Sequence, residues 1–382
     1  MYDISGAHPG VIVERVTSHW AAMETSVVSS SRYLHHRGRP LVALWGFGFL
    51  GGSGTALGQP EQANQLLDFF ERAGATVMGG VPTYWREGTN DSAPGPAWAA
   101  VYRRFGIISP WTVGRYTDPA GAAEYAQLVL SADIAEAKRV GADLVPVVYP
   151  GYSERNVLRI EQPTAPLRPL NEIPRQGGTF WWAQAKTFRE AGAQMFYGAM
   201  FDEVDESTAM FKIARATPQL PVGPLLVAAD VDGYPLPSDW YLRLAGAAAQ
   251  RLHSGADFEA APPIAPPGVQ WPTTVPTPII ASVSPAAVSA GQVLTVSGVG
   301  FGASQGGGYV SFGDQGTAWG SPRCAATFDI DSWSDSEVTF TVPSPSGPDG
   351  VWHVVPASQA TITVTNAASQ VSNVATVTIA PG

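Results

Sequence analysis

Apolar runs of strand length alternate with amphipathic helical patterns over residues 1–254, and this alternation constrains the fold more than any other feature of the chain. Turn residues bound each run, as is typical of strands in a buried sheet. The strand-like runs are residues 1–5, 41–49, 76–85, 106–114, 143–152 and 195–203. Helical patterns occupy residues 60–74, 124–141 and 180–192. The regular strand–helix–strand order predicts a parallel α/β sheet, and runs that are apolar on both faces favour a (β/α) barrel.

Four carboxylates follow the last of these runs, where MFYGAMFDEVDE supplies Asp202, Glu203, Asp205 and Glu206. Like charges crowded at the end of a core strand do not favour stability. They do raise the proton affinity of some members, so that an acid and a base can coexist near neutral pH. A turn or a first helical coil after the strand would direct Glu203 and Glu206 into one cleft. Two other interpretations stay open, namely the acidic first turn of a helix and a divalent-cation site.

Aromatic and polar residues also stand at the carboxyl ends of nearly all predicted strands, where a barrel of this type holds its substrate. They are Asp3, Trp45, Tyr84, Trp85, Trp111, Tyr149 and Tyr152. The loop before the carboxylate strand adds Arg175 ahead of a Gly pair. Aromatic faces suit the apolar faces of a sugar ring, and charged groups suit its hydroxyls. We predict that these residues, together with Asp202 and Asp205, bind a carbohydrate; the alternative is that the rings only fill the barrel mouth.

Composition restricts the partners of the chain. The net charge of −10 argues against a nucleic-acid partner. The sequence has no apolar run of the length that spans a bilayer, and its opening MYDISGAHPG is unlike a signal peptide. Cys324 is the only cysteine, which excludes a disulfide framework and a Cys-based metal site. We predict neither a cofactor nor a metal.

The composition changes near residue 255. We predict a Pro-rich linker over residues 255–276 and a β-sandwich over residues 277–382, because short alternating runs such as SEVTFTVP recur there. The opening PTPIIASVSP and the later GVGFG resemble an immunoglobulin-like IPT/TIG domain. Such modules serve as spacers and as adhesion or docking units, so the resemblance implies docking to a cell surface or a polysaccharide.

Residues 1–250 contain, in this order, the motifs WGFGF, GGVPTYWR, ISPWTVGRY, PVVYPGYS, IPRQGGTFWW and AMFDEVDEST. In these motifs the chain resembles a bacterial glycoside hydrolase group that is often labelled xylosidase/arabinosidase and is related to families 71 and 99. The resemblance implies a secreted or cell-surface enzyme with a (β/α)8 TIM-type barrel that hydrolyses glycosidic bonds in a polysaccharide or oligosaccharide. Family 99 uses an E-x-x-E pair at the end of a late barrel strand, and in this sequence that pair falls on Glu203 and Glu206.

By this resemblance, Glu203 is the general base that acts on the 2-hydroxyl of the substrate, and Glu206 is the general acid that protonates the departing oxygen. The outcome is retention through a 1,2-anhydro sugar. The chain has Asp-Glu-Val-Asp-Glu where family 99 has roughly Asn-Glu-Trp-x-Glu. A conventional hydrolysis with two carboxylates therefore stays open.

The number of strands departs from the family pattern. Residues 1–254 contain about six strand-like runs, whereas a closed barrel of this class has eight strands. The resemblance implies that two βα units and a signal peptide precede the segment that matches YDISG, so we expect an N-terminally truncated barrel over residues 1–254. The alternative function is that of a non-catalytic carbohydrate-binding or adhesion protein built on a degenerate or truncated barrel.

Overall fold

A computed structural model describes most of the chain. It covers residues 1–382 with the exception of 6–7, 52–55, 162–163, 165–167, 222–225, 270–276, 303–304, 306–307, 315–316, 320–329, 343–358, 367–369 and 381–382. Cys324 and the second part of the predicted linker lie outside the described residues.

The strands of the first domain overlap the predicted runs, with the exception of the two-residue β2, which was not predicted. They are β1 (Tyr2–Asp3), β2 (His35–His36), β3 (Arg39–Trp45), β4 (Thr76–Val81), β5 (Ile107–Pro110), β6 (Asp143–Leu144), β7 (Val147–Val148) and β8 (Tyr197–Gly198). The strands β1, β3, β4, β5 and β6 are adjacent in that order, and each is parallel to the next. After Val145 and Pro146 the chain continues as β7, which is parallel to β8. The order in the sheet therefore follows the order in the chain, as in a (β/α) barrel.

Helices connect the strands. They are α1 (Ile12–Met23), α2 (Pro60–Arg72), α3 (Pro96–Tyr102), α4 (Pro119–Tyr125), α5 (Ser131–Arg139), α6 (Arg155–Glu161), α7 (Thr179–Glu190) and α8 (Trp240–Ser254). A π-helical turn joins α4 to α5. The local chemistry explains the ends: the Asp118 side chain accepts a hydrogen bond from the Gly121 amide at the start of α4, and Gly255 adopts a left-handed conformation after α8. The three predicted helical patterns are confirmed as α2, the α4–α5 pair and α7.

The two faces of the sheet have different surroundings. On β3, Val42 and Leu44 are buried in the main core together with Leu66 and Phe70 of α2. The opposite face forms a separate, smaller cluster. Its members are Leu41, Ala43, Met78, Ile107, Val145, Met195 and Tyr197. Because this cluster draws on β3, β4, β5, the β6–β7 run and β8, the strands surround a common interior, and the domain is barrel-like.

The two edges of this array approach each other, since the Tyr197 hydroxyl lies 3.6 Å from Met1 Sδ. Within the described sheets, however, β1 and β8 share no hydrogen-bonded ladder. The structure therefore supports a barrel-like α/β domain with six strand positions. Closure of the barrel stays a prediction.

The C-terminal part is β-rich. Its strands are β9 (Ile279–Ser284), β10 (Ala287–Val288), β11 (Val293–Val299), β12 (Tyr309–Asp314), β13 (Thr317–Trp319), β14 (Ile330–Trp333), β15 (Glu337–Thr341), β16 (Gln359–Thr365) and β17 (Ala375–Ile379). One sheet has the order β10-β17-β16-β12-β13 and the other the order β14-β15-β11-β9. Alternate residues of both sheets, including Val296, Phe312, Phe340 and Ile362, form one buried core, as in a β-sandwich. Across both domains, no helix in the described ranges has the length and apolar character needed to cross a membrane.

Candidate active site

The four carboxylates lie on a compact loop after β8, residues 200–210, which we call the carboxylate loop. Met200 donates its amide to the Thr208 carbonyl at 3.2 Å, and Met210 donates its amide to the Met200 carbonyl at 2.9 Å. The amides of Thr208 and Ala209 both donate to the Glu203 carbonyl, at 3.2 and 3.1 Å. Residues 204–207 form a turn rather than a helix. The interpretation of the cluster as the first turn of a helix is therefore wrong.

Glu203 is half-buried, whereas Asp202 and Asp205 are exposed. Burial raises the pKa of Glu203 to about 7, and the charges of Asp205, Asp202 and Asp3 add to the rise, while a hydrogen bond with Thr208 opposes it. Asp3 belongs to β1, so the carboxylates from both edges of the strand array act on one glutamate. A carboxyl group with this pKa can gain or lose a proton near neutral pH.

Glu206 lies on the other side of the carboxylate loop, next to the chain segment that follows β7. Its carbonyl accepts the Ser153 amide at 2.8 Å. Burial, followed by the charge of Glu206, raises the pKa of Tyr152. Tyr152 is in turn fixed by a pair of backbone hydrogen bonds with Ile173, of 3.1 and 2.9 Å. The loop thus presents Glu203 towards β1 and Glu206 towards the chain segment that follows β7.

Three half-buried aromatic rings form a wall across the strand array. The Trp45 and Trp111 rings meet edge to face with centroids 5.3 Å apart, and the Trp111 and Tyr197 centroids are 6.5 Å apart. Trp45 reaches Trp111 across β4 because Gly80 has no side chain; a Cβ at Gly80 would lie 2.3 Å from Trp45 Cδ1. Burial, and then the charge of Glu203, raises the pKa of Tyr197, which links this wall to the carboxylate loop. Sequence reasoning missed Tyr197 and Gly80, although the Gly pair inside a strand signals a close approach by a neighbour.

Two residues predicted at the rim lie in the core instead. Trp85 is fully buried, and its indole N–H donates to Asp133 Oδ2 at 2.9 Å. Tyr149 is fully buried, and its hydroxyl donates to the Tyr116 carbonyl. Their polar atoms are satisfied inside the protein and their rings do not reach the surface, so the prediction that they contact substrate is wrong. Tyr84, next to Trp85, is half-buried, and its amide donates to Asp91 Oδ1 at 3.1 Å.

Arg175 likewise does not reach the surface, because only 2% of it is exposed. Its guanidinium donates to the Ser207 carbonyl at 2.7 Å and to the Ala209 carbonyl at 3.2 Å, and it stacks over the Tyr241 ring at 4.9 Å. The prediction that Arg175 bonds a sugar is corrected: it contacts the carboxylate loop from within the protein. In the part of the chain that the structure describes, no group of three or more His, Cys, Asp or Glu side chains could hold a metal ion.

Comparison with known families identifies the C-terminal domain. Residues 278–379 match the family model of the IPT/TIG domain. This region is a TIG domain. The prediction from PTPIIASVSP and GVGFG is confirmed, and the TIG domain spans both described sheets of the sandwich. No curated protein matches the chain.

Solved structures give similarities to both domains. The GH99 endo-alpha-mannosidase from Bacteroides thetaiotaomicron is 14% identical over 66% of this chain and 65% of that chain, with a TM-score of 0.44. The same enzyme in complex with BIS-TRIS-propane is 14% identical over 66% of this chain and 68% of that chain, with a TM-score of 0.42. The TIG domain of human nuclear factor of activated T-cells, cytoplasmic 4, is 20% identical over 26% of this chain and 83% of that chain, with a TM-score of 0.19.

Proposed function

We propose that this protein hydrolyses glycosidic bonds in a polysaccharide or oligosaccharide, with Glu203 and Glu206 as its catalytic residues. The observation that carries the proposal is the pKa of Glu203, raised to about 7 beside an aromatic wall that contains Trp45 and Trp111. Acid–base catalysis is most efficient when the pKa of the group lies near the working pH. The charge of Glu203 acts on Tyr197, whose ring centroid lies 6.5 Å from that of Trp111, so the rings of this wall would supply apolar surface for a sugar near the glutamate.

In the proposed reaction, Glu203 removes the proton of the 2-hydroxyl, and the freed oxygen attacks the anomeric carbon. Glu206 donates its proton to the glycosidic oxygen as the bond to the leaving sugar breaks, which yields a 1,2-anhydro sugar. Water then opens this intermediate, with Glu206 taking a proton from water and Glu203 returning one to the 2-oxygen. The E-x-x-E spacing and the raised pKa of Glu203 support this assignment. A conventional mechanism would use the same two side chains as an acid and a nucleophile or base.

Further residues are proposed to contact the substrate. Those whose side chains are exposed or half-buried in the structure are Asp3, Trp45, Tyr84, Trp111, Tyr152, Asp202 and Asp205. The rings would stack on sugar faces, and the carboxylates would accept hydrogen bonds from hydroxyl groups. We further propose that the enzyme acts outside the cell or at its surface, where the TIG domain would hold it close to a polysaccharide.

The test combines turnover with binding. Glu203→Gln and Glu206→Gln are assayed for release of reducing ends from mannan, arabinan and xylan. Calorimetry then measures how tightly each variant binds the intact form of the polymer that the wild type cleaves. Glu71→Gln on α2, whose side chain is 75% exposed, is the matched control. Each site variant should lose turnover by a factor of about 100 or more, while affinity changes little and the control is unaffected.

Two outcomes would count against the proposed hydrolysis by Glu203 and Glu206. Binding of a polysaccharide by the wild type with no cleavage of any polymer would favour the alternative, a carbohydrate-binding protein. Full turnover by Glu203→Gln or Glu206→Gln would show that the carboxylate loop is not the catalytic site.

A further inference from the structure

Arg175 combines deep burial with an unusual choice of partners. It is 2% exposed and forms no salt bridge within the described residues. Instead, two of its N–H groups donate to the carbonyls of Ser207 and Ala209, and its face stacks on Tyr241. A buried cation is destabilising unless hydrogen bonds and nearby rings satisfy it. The carboxylate loop supplies both of the acceptors.

The backbone on each side of this contact is strained. Ser207 has φ 60° and Gln176, next to Arg175, has φ 50°, although neither is a glycine. Left-handed backbone at such residues has a free-energy cost and persists only where surrounding contacts enforce it. The bond from Arg175 to the Ser207 carbonyl is such a contact. This hydrogen bond holds Ser207, which directly follows Glu206 and is the last residue of the turn between the two glutamates.

We infer that Arg175 is a positioning residue, which holds the carboxylate loop so that Glu203 and Glu206 keep their separation. Its two hydrogen bonds to the carboxylate loop are to backbone carbonyls, so in this role it acts on the glutamates through the loop backbone. The inference rests on the proposed function. Lysine cannot replace Arg175, because a single ammonium lacks the planar fork that bonds two carbonyls at once.

The first test is kinetic. Arg175→Lys keeps the charge and should lower kcat by about 10- to 100-fold, since misplacement of a catalytic group by about 1 Å has an effect of this size, while KM stays within about threefold. Arg189→Lys is the matched control, because Arg189 also donates to a backbone carbonyl, that of Ala193 at 3.2 Å. Its kcat should not change.

A second substitution separates positioning from general stability. Glycine adopts φ near 60° freely, so Ser207→Gly should let the loop keep its conformation without Arg175. The double variant Arg175→Lys/Ser207→Gly should recover most of the lost kcat. Loss of melting temperature by Arg175→Lys with an unchanged kcat of the folded enzyme, or a double variant no faster than Arg175→Lys, would overturn the inference.

Hydrogen exchange tests the inference independently of turnover. The amides of Thr208 and Ala209 donate to the Glu203 carbonyl within the carboxylate loop, so a loosened loop exposes them. In the Arg175→Lys variant, these two amides should exchange at least about tenfold faster than in the wild type. The exchange rates of the strand amides should not change. Unchanged exchange at Thr208 and Ala209 would overturn the positioning role. A wild type with no turnover would instead overturn the proposed function and leave this result standing.

Discussion

Asp205→Asn distinguishes a base from an acid at Glu203. The charge of Asp205 is the largest charge contribution to the raised pKa of Glu203, second only to burial. Removal of one neighbouring carboxylate charge should lower that pKa by about 1, from about 7 to about 6. At pH 6 the ionised fraction of Glu203 then rises from about 10% to about 50%.

The assay is the pH dependence of kcat/KM, with each variant scaled to its own maximum so that a change in substrate contact by Asp205 cancels. If Glu203 is the base, activity rises with pH through its pKa. The Asp205→Asn variant should then be about fivefold more active than wild type at pH 6. If Glu203 is instead the acid, its pKa governs the falling limb of the pH profile. The scaled activity of the variant at pH 8 should then be about tenfold lower than that of the wild type.

The control is Asp68→Asn, which removes a carboxylate on α2 that pairs with Arg104 at 2.6 Å. This control variant should show the same rising and falling limbs in its pH profile of kcat/KM as the wild type. A profile of Asp205→Asn that coincides with wild type on both limbs would refute the electrostatic account of Glu203, as would a midpoint that moves to higher pH.

Three further predictions follow from the structure. Asp133→Ala should lower the free energy of unfolding by about 3 kcal/mol, because a fully buried indole N–H and a guanidinium lose their acceptor; urea denaturation measures the loss, and Asp133→Asn should lose less. Gly80→Ala places a Cβ 2.3 Å from Trp45 Cδ1, so it should raise KM more than it lowers kcat, and equal KM values would contradict the aromatic wall. The pKa values of Glu203 and Asp133 are both raised to about 7, so these two groups bind more protons in the native state than in the unfolded state between about pH 5 and pH 7. The lowered pKa values of Glu136, Asp239 and Glu259 act in the opposite sense, mainly below this interval. Unfolding titrations should therefore show stability falling as pH rises from about 5 to about 7, less so in Glu203→Gln.

Local patterns in the sequence predict the elements of this fold well. The runs that became β3, β4 and β5 are bounded by their own turn residues, and α2 carries both its Pro start and its apolar face within 13 residues. The position of the four carboxylates at the end of β8 can be predicted in the same way. Such features depend on neighbours in the chain, which a sequence displays directly.

Exposure at the site depends on distant partners and could not be predicted. Trp45 and Trp85 both stand at the ends of predicted strands. Trp85 is buried, however, and the acceptor of its indole N–H is Asp133, 48 residues away in the chain. Arg175 likewise resembles a rim residue until its acceptors at Ser207 and Ala209 are known. Strand-end position therefore predicts which residues can reach the site, and tertiary partners decide which of them do.

The assignment of Glu206 as the acid is tested most directly by aryl glycosides whose leaving groups differ in pKa. Proton donation matters for a poor leaving group and little for a good one. The account predicts that Glu206→Gln loses a factor of about 100 or more in kcat/KM on a poor leaving group and keeps nearly wild-type activity on dinitrophenyl glycosides, whereas Glu203→Gln loses activity on both. Equal losses by Glu206→Gln on good and poor leaving groups would contradict the assignment of the acid.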